Sequence, residues 1–146
     1  MLELPPLSLY IHIPWCVKKC PYCDFNSHEA QSDIPESDYI DILCQDFDRD
    51  YEHCDARPLQ SIFIGGGTPS LFGAKSFEKI LTHIRSKASL SGECEFTLEA
   101  NPGTAEADKF SGYFAAGINR LSIGVQSFDE RQLKNLGRIH SADESK

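Results

Sequence analysis

The sequence predicts an α/β fold in which parallel strands alternate with helices. Three observations carry this: strand-like and helix-like stretches follow one another four times, no charge block or low-complexity linker separates the units, and the chemically unusual residues cluster where each strand should end.

In "LSLYIHI" (7–13), Leu7, Leu9, Ile11 and Ile13 alternate with Ser8, Tyr10 and His12, the period of a strand with two unlike faces. A helix should open near Pro35, tolerated in a first turn, and present Ile40, Leu43, Cys44, Phe47 and Tyr51 to the sheet. "SIFI" (61–64) is a short apolar run suited to a buried parallel strand; GGGTP follows, then a helix with Phe77, Ile80, Leu81 and Ile84 as its stripe. In "EFTLEANPGT" (95–104), Phe96 and Leu98 face one way and Thr97 and Glu99 the other; the next helix is expected to be capped by Thr104 and to end near Gly117, with Gly112 an ill-fitting interior residue. "RLSIGVQS" (120–127) should point Leu121, Ile123 and Val125 to one side and Ser122, Gly124 and Gln126 to the other. Ser127 and Glu130 have the spacing of a capping box before a short helix stopped by Gly137.

Composition narrows the function. The 146 residues are a single domain's length, and 40% hydrophobic with 25% charged residues is an ordinary globular composition. Fourteen basic against 22 acidic residues give a net charge of −8, so the chain as a whole has no positive field to hold a nucleic acid or an anionic membrane. The proline-broken N-terminus reads neither as a signal peptide nor as a membrane span, which places the protein in the cytoplasm.

In that reducing compartment six cysteines do not make a disulfide framework. Cys16, Cys20 and Cys23 are clustered, whereas Cys44, Cys54 and Cys94 are scattered and read as small buried apolar residues. A cubane iron–sulfur cluster has four irons, and a C-x-x-x-C-x-x-C loop reaches three of them, leaving one for a substrate or cofactor. Zinc is the rival, with His28 as a fourth ligand. Trp15, Tyr22 and Phe25 read as local core, as a dry wall beside the metal, or as both. Parallel strands with right-handed crossovers place all their C-terminal ends on one face. The cysteine loop, GGGTP, Glu99 and Gln126 should therefore converge there.

The segments "SLYIHIPWCVKKCPYCDFNSH", "SIFIGGGTPSLF", "LEANPGT" and "NRLSIGVQSFDERQLKNLGRIH" together resemble the radical S-adenosylmethionine (SAM) superfamily. More narrowly, they resemble the oxygen-independent coproporphyrinogen III oxidase family and its haem-chaperone branch. The resemblance implies a [4Fe–4S] cluster on Cys16, Cys20 and Cys23, with SAM on its open iron. It implies SAM contacts from Tyr10, from Tyr22 at the adenine, from Gly66, Gly67 and Thr68 at the amino group, and from the Glu99 carboxylate. Gln126 and Arg138 match polar contacts that in the oxidase branch belong to a second SAM. Taken alone, the glycines read as a tight turn, Glu99 as a solvated strand end and Arg138 as a helix-end charge. His12, His28 and His140 carry no assigned role.

The oxidase branch has a fourth cysteine where this chain has Phe25, and a longer N-terminal extension. Both departures favour the chaperone branch, which binds haem and passes it to recipient haem proteins; the oxidase reaction on a porphyrin precursor is the alternative, and a zinc-stabilised domain without redox chemistry the third. An electron donor for the cluster is an implied partner. Family members continue into further strands and a C-terminal domain. The resemblance therefore implies that residues 1–146 are a truncated, unclosed part of a partial (β/α)6 TIM-like barrel, holding most of the cofactor half of the site. Full enzymatic activity is not expected of it.

Overall fold

A computed structural model describes residues 4–31 and 33–146, at 104–107 for the backbone only. The four strands are β1 (Leu7–Ile13), β4 (Leu59–Gly66), β5 (Leu90–Ala100) and β6 (Arg120–Ile123), joined in that order into one parallel sheet. Two further short strands, β2 (Trp15–Cys16) and β3 (His28–Glu29), pair with each other in parallel. The helices are α1 (Glu36–Tyr51), α2 (Ala74–Lys87), α3 (Thr104–Ala116) and α4 (Glu130–Asn135), with a 3-10 turn over Pro69–Leu71.

One sheet face is apolar because alternate strand residues are: Ile11, Ile13, Ile62, Ile64, Phe96 and Leu98 are buried there. The stripes of α1 (Ile40, Cys44, Phe47) and α2 (Phe77, Ile80, Leu81, Ile84) join the same core. Each large side chain so buried contributes about 1.5–3 kcal/mol. The other face is half polar, with Ser61 Oγ donating to Ser8 Oγ at 2.9 Å and Tyr10 stacked on Phe63 at 6.2 Å between ring centres. Among the described residues the sheet does not close, and β1 and β6 are its edges.

Ile13 pairs with Gly66, Ile64 with Leu98 and Ala100 with Ile123. The C-terminal ends of all four strands are therefore level, and the loops leaving them share one rim.

The elements differ from expectation in instructive places. β4 and β5 start earlier than "SIFI" and "EFTL" suggest, because the buried Leu59 pairs with Leu7 and Leu90 beyond those apolar runs. β6 stops at Ile123: Gln126 has φ 64°, a left-handed turn that ends an extended run. Ile123 is exposed and not part of an apolar face with Leu121. The cap of α4 is Asp129, whose carboxylate accepts from the N–H groups of Arg131 and Gln132 at 2.8 and 3.0 Å. Ser127 instead accepts from Asp129 N–H, and Glu130 reaches the Ala142 N–H, so no Ser127–Glu130 box forms. The expected capping side chain of Thr104 lies outside the described residues. Gly112 has a packing reason, since a Cβ there would stand 3.1 Å from the Ala74 Cβ of α2.

Candidate functional site

The cysteine loop is held at both ends. The β2–β3 pair closes it through His28 N–H to Pro14 O at 2.7 Å and Ala30 N–H to Cys16 O at 2.9 Å. Inside it, Cys23 N–H donates to Cys20 O at 3.0 Å, and Lys19 Nζ reaches back to the carbonyls of Phe25 and Ser27 at 3.3 and 3.0 Å. Cys16 is buried and Cys20 and Cys23 are half-buried; all six cysteines are free thiols.

The glycine stretch leaving β4 is packed against this loop. Gly67 N–H donates to Ile13 O and Thr68 N–H to Trp15 O, both at 2.7 Å. A Cβ on Gly67 would stand 2.4 Å from the Trp15 carbonyl oxygen and 3.0 Å from Cys16 Sγ, so close backbone approach demands glycine there. Gly66 N–H donates to Glu99 Oε2 at 3.1 Å, fixing the carboxylate at the end of β5.

The fourth unit enters through Arg138. Its Nη2 donates to Asn101 Oδ1 at 2.6 Å and to Gly124 O at 2.8 Å, and its Nη1 stands 3.7 Å from Cys20 Sγ. Asn101 in turn donates to Thr68 Oγ1 at 3.4 Å. Loops from all four strands are thus linked around one guanidinium. Its Nε is buried without a hydrogen-bond partner among the described residues. Partial burial raises the Tyr22 phenol above its ordinary value, and the nearby Arg138 charge opposes that rise.

These groups surround a cavity of about 370 Å3. Cys16, Cys20, Cys23 and Tyr22 line it from the first loop, Gly66, Gly67 and Thr68 from the second, and Glu99, Gln126 and Arg138 from the rest. Tyr10 is not among its lining residues: it lies on the sheet face, 56% exposed, its phenol raised by burial and then by the charge of Glu99. The aromatics divide. Trp15 packs edge-on against Tyr39 at 4.7 Å in the core, while Tyr22 and Phe25 line the cavity. Of the scattered cysteines, Cys44 and Cys94 are buried, with burial raising both thiols, whereas Cys54 is only half-buried.

Two residues given no role prove structural to the site. Asn101 lines the cavity and anchors Arg138; strand parity with Glu99, two residues earlier, was the signal. His12 accepts a hydrogen bond at Nδ1 from Tyr10 OH (3.0 Å) when its Nε2–H donates to Asn26 O (2.7 Å), tying β1 to the return limb of the cysteine loop.

Three thiols on one loop, a cation directed at one sulfur, and a glycine whose Cβ would fill the space beside Cys16 suit a sulfur-rich centre. Among the described residues no three His, Cys, Asp or Glu side chains are gathered around one ion-sized point. His28, the fourth ligand of the zinc reading, is exposed on β3 and is not among the residues lining the cavity.

The sequence model of the Radical SAM superfamily matches residues 10–146. Heme chaperone HemW of Escherichia coli (strain K12) is 55% identical over 146 residues, which is 100% of this chain and 39% of that protein. Heme chaperone HemW of Haemophilus influenzae is 58% identical over 150 residues, again 100% of this chain and 39% of that protein. The solved coproporphyrinogen III oxidase (HemN) of Escherichia coli, described as a radical SAM enzyme, superposes with a TM-score of 0.81 at 28% identity, over 96% of this chain and 32% of that one. The chain thus spans about 39% of the length of these curated relatives.

Proposed function

The chain belongs to the radical SAM superfamily, and from that premise we propose that residues 1–146 hold a [4Fe–4S] cluster on Cys16, Cys20 and Cys23 and bind S-adenosylmethionine beside it, as the cofactor portion of a haem chaperone. The observation that carries this is the convergence of the three thiols with Glu99, Gln126 and Arg138 on one cavity. Such a cluster, held by Cys16, Cys20 and Cys23, would supply one electron to the sulfonium of the bound cofactor.

The chain's own groups do the holding. Arg138 brings positive charge and an N–H to Cys20, a hydrogen bond that would orient this sulfur as a metal ligand. The N–H groups of Gly66, Gly67 and Thr68 are already bonded to Glu99, Ile13 and Trp15, so to an amino group this stretch offers carbonyl acceptors. Glu99 adds a carboxylate for an ammonium or for ribose hydroxyls, and Tyr22 an apolar ring face for the adenine. Tyr10 stands outside the cavity, hydrogen-bonded to His12 and within the electrostatic reach of Glu99.

Haem binding and transfer to haem proteins are our reading of the whole protein's role, supported by the identity to the two HemW proteins, which exceeds that to the coproporphyrinogen oxidase. Phe25 at the place of that enzyme class's fourth cysteine agrees. No helix among the described residues is long and apolar enough to cross a membrane, and six free thiols suit the reducing cytoplasm.

Anaerobic reconstitution with iron and sulfide, followed by electron paramagnetic resonance of the reduced protein, tests the cofactor reading. A cluster signal that changes on adding SAM is expected; a signal indifferent to SAM, or zinc in place of iron, overturns it. Haem titration followed by absorbance tests the chaperone reading, and anaerobic conversion of coproporphyrinogen would replace it with the oxidase.

A further inference from the structure

The cysteine loop exposes its apolar side chains and buries a serine. Val17, Tyr22 and Phe25 are exposed, whereas Ser27 is 2% exposed and is the one buried residue of the stretch 17–31. A small apolar side chain would fill that space without polar cost, so a hydroxyl there calls for partners. Two are within reach, Phe25 O at 3.4 Å and Cys23 Sγ at 3.9 Å. A hydroxyl has one proton to give. The carbonyl does not depend on it, because Phe25 O also accepts from Lys19 Nζ at 3.3 Å, and the same Nζ donates to Ser27 O at 3.0 Å. Between them, Asn26 O accepts the Nε2–H of His12 at 2.7 Å. Three consecutive carbonyls of the return limb are thus held by Lys19 and His12, and the limb keeps its shape whichever way the Ser27 proton points.

The direction of that proton depends on Cys23. As a thiol, Cys23 can donate to Ser27 Oγ while Ser27 donates to Phe25 O; as a metal-bound sulfur it has no proton and can only accept. We propose that Ser27 is a positioning residue of the centre: with Cys23 ligated, its hydroxyl turns from Phe25 O to Cys23 Sγ and raises the reduction potential. The inference rests on the cluster reading above. A hydrogen bond to a ligand sulfur stabilises the reduced, more negative centre over the oxidised one. A reduced centre of higher potential is in turn a weaker reductant of a sulfonium. With Arg138 Nη1 at 3.7 Å from Cys20 Sγ, two of the three sulfurs then have a side-chain donor.

The test reconstitutes wild type and Ser27→Ala anaerobically and follows the cluster by electron paramagnetic resonance along a reductive titration, at matched iron and sulfide per chain. Ser27→Ala should take up the cluster and be reduced at a potential lower by about 59 mV, a tenfold change in a one-electron equilibrium. Ser27→Thr and Ser27→Val share nearly one outline, and only threonine keeps a hydroxyl. Threonine should therefore lie near wild type and valine near alanine, a split that a purely structural role would not produce. Equal potentials in wild type and the alanine variant, or a valine variant no lower than the threonine one, overturn the proposal. Loss of the cluster from both the alanine and valine variants also overturns it, since the hydroxyl would then be holding the loop together rather than tuning the metal. Iron and sulfide analysis separates the readings. A wild-type cluster whose potential ignores these substitutions removes this inference alone, whereas a wild type that takes up no cluster removes the functional reading and this inference with it.

Discussion

Arg138 donates to Asn101 Oδ1 at 2.6 Å with one η nitrogen while the other stands 3.7 Å from Cys20 Sγ, so the position of a charge beside a candidate metal ligand is set by a neutral amide on the neighbouring strand end. A hydrogen bond to a charged group contributes about 1.5–3 kcal/mol. Asn101→Leu should therefore weaken SAM binding to the reconstituted protein by roughly tenfold, about 1.4 kcal/mol, as read by calorimetry. Asn101→Asp keeps an acceptor for Arg138 and loses the amide donor to Thr68, so its effect should be smaller. The reverse order would remove the anchoring role.

Gly67→Ala tests the fit between the glycine stretch and the cysteine loop. The new methyl would sit 2.4 Å from the Trp15 carbonyl, which is backbone and has no rotamer in which to escape. Overpacking of this kind costs about 1–3 kcal/mol, and here the strain falls on the loop that carries the thiols. The variant should stay soluble, keep its far-ultraviolet spectrum and incorporate markedly less iron per chain. Wild-type iron content would show that the two loops move independently.

The parallel order and the apolar faces of β1, α1 and α2 were legible because each rests on a local period: two for Leu9, Ile11 and Ile13, and near 3.6 for Phe77, Ile80, Leu81 and Ile84. Convergence of the thiols with Glu99 and Gln126 on one rim was legible for a different reason, since parallel strands with helical crossovers leave no other arrangement. What was illegible depends on backbone angles and on partners distant in sequence. The φ of 64° at Gln126 ends β6 early, and Asp129 outcompetes Ser127 as a cap once that turn is made. Asn101 and His12 act through Arg138 and Asn26, contacts that no periodicity announces.

Tyr113 ties α3 to the turn after the glycines, its hydroxyl donating to Ser70 O at 2.8 Å and Phe72 O at 3.0 Å from a side chain 1% exposed. Tyr113→Phe keeps the ring against Phe77 and removes the donor, for a loss of about 1–2 kcal/mol. Thermal unfolding should shift down by several degrees, on the order of 2–8 °C. No shift would mean that the two carbonyls find other donors.

Stability should be flat between about pH 5 and 8 and fall mainly on the alkaline side. Burial raises the phenols of Tyr10, Tyr22 and Tyr39 above 10.0 and the thiols of Cys44 and Cys94 above 9.0. Folding thus favours their protonated forms, and that stabilisation is whole below the ordinary values and lost as pH rises through the folded ones. Glu95 is lowered from 4.5 by the Thr97 hydroxyl and then Arg120, and Glu144 by the Ser141 N–H, so their share is present above 4.5 and lost as pH falls. Both carboxylates are exposed, which keeps the acid limb shallow. Urea midpoints across pH check the asymmetry. At pH 8, alkylation should reach Cys20 and Cys23 well before Cys44 and Cys94.

The charge of Glu99 can be read directly from Tyr10. Glu99 accepts from Gly66 N–H at 3.1 Å, and an ionised carboxylate there opposes the loss of the Tyr10 proton, adding to the rise that burial causes. Glu99→Gln keeps an oxygen for Gly66 and removes the charge. The Tyr10 phenol should then titrate lower than in wild type yet stay above 10.0, because its burial is unchanged. Titration of carbon-13-labelled tyrosine by magnetic resonance, with Tyr10→Phe to assign the signal, measures the difference. A Tyr10 curve that does not move would mean Glu99 carries no charge beside it, and a carboxyl that is already neutral has no ion pair to offer an ammonium in the adjoining cavity.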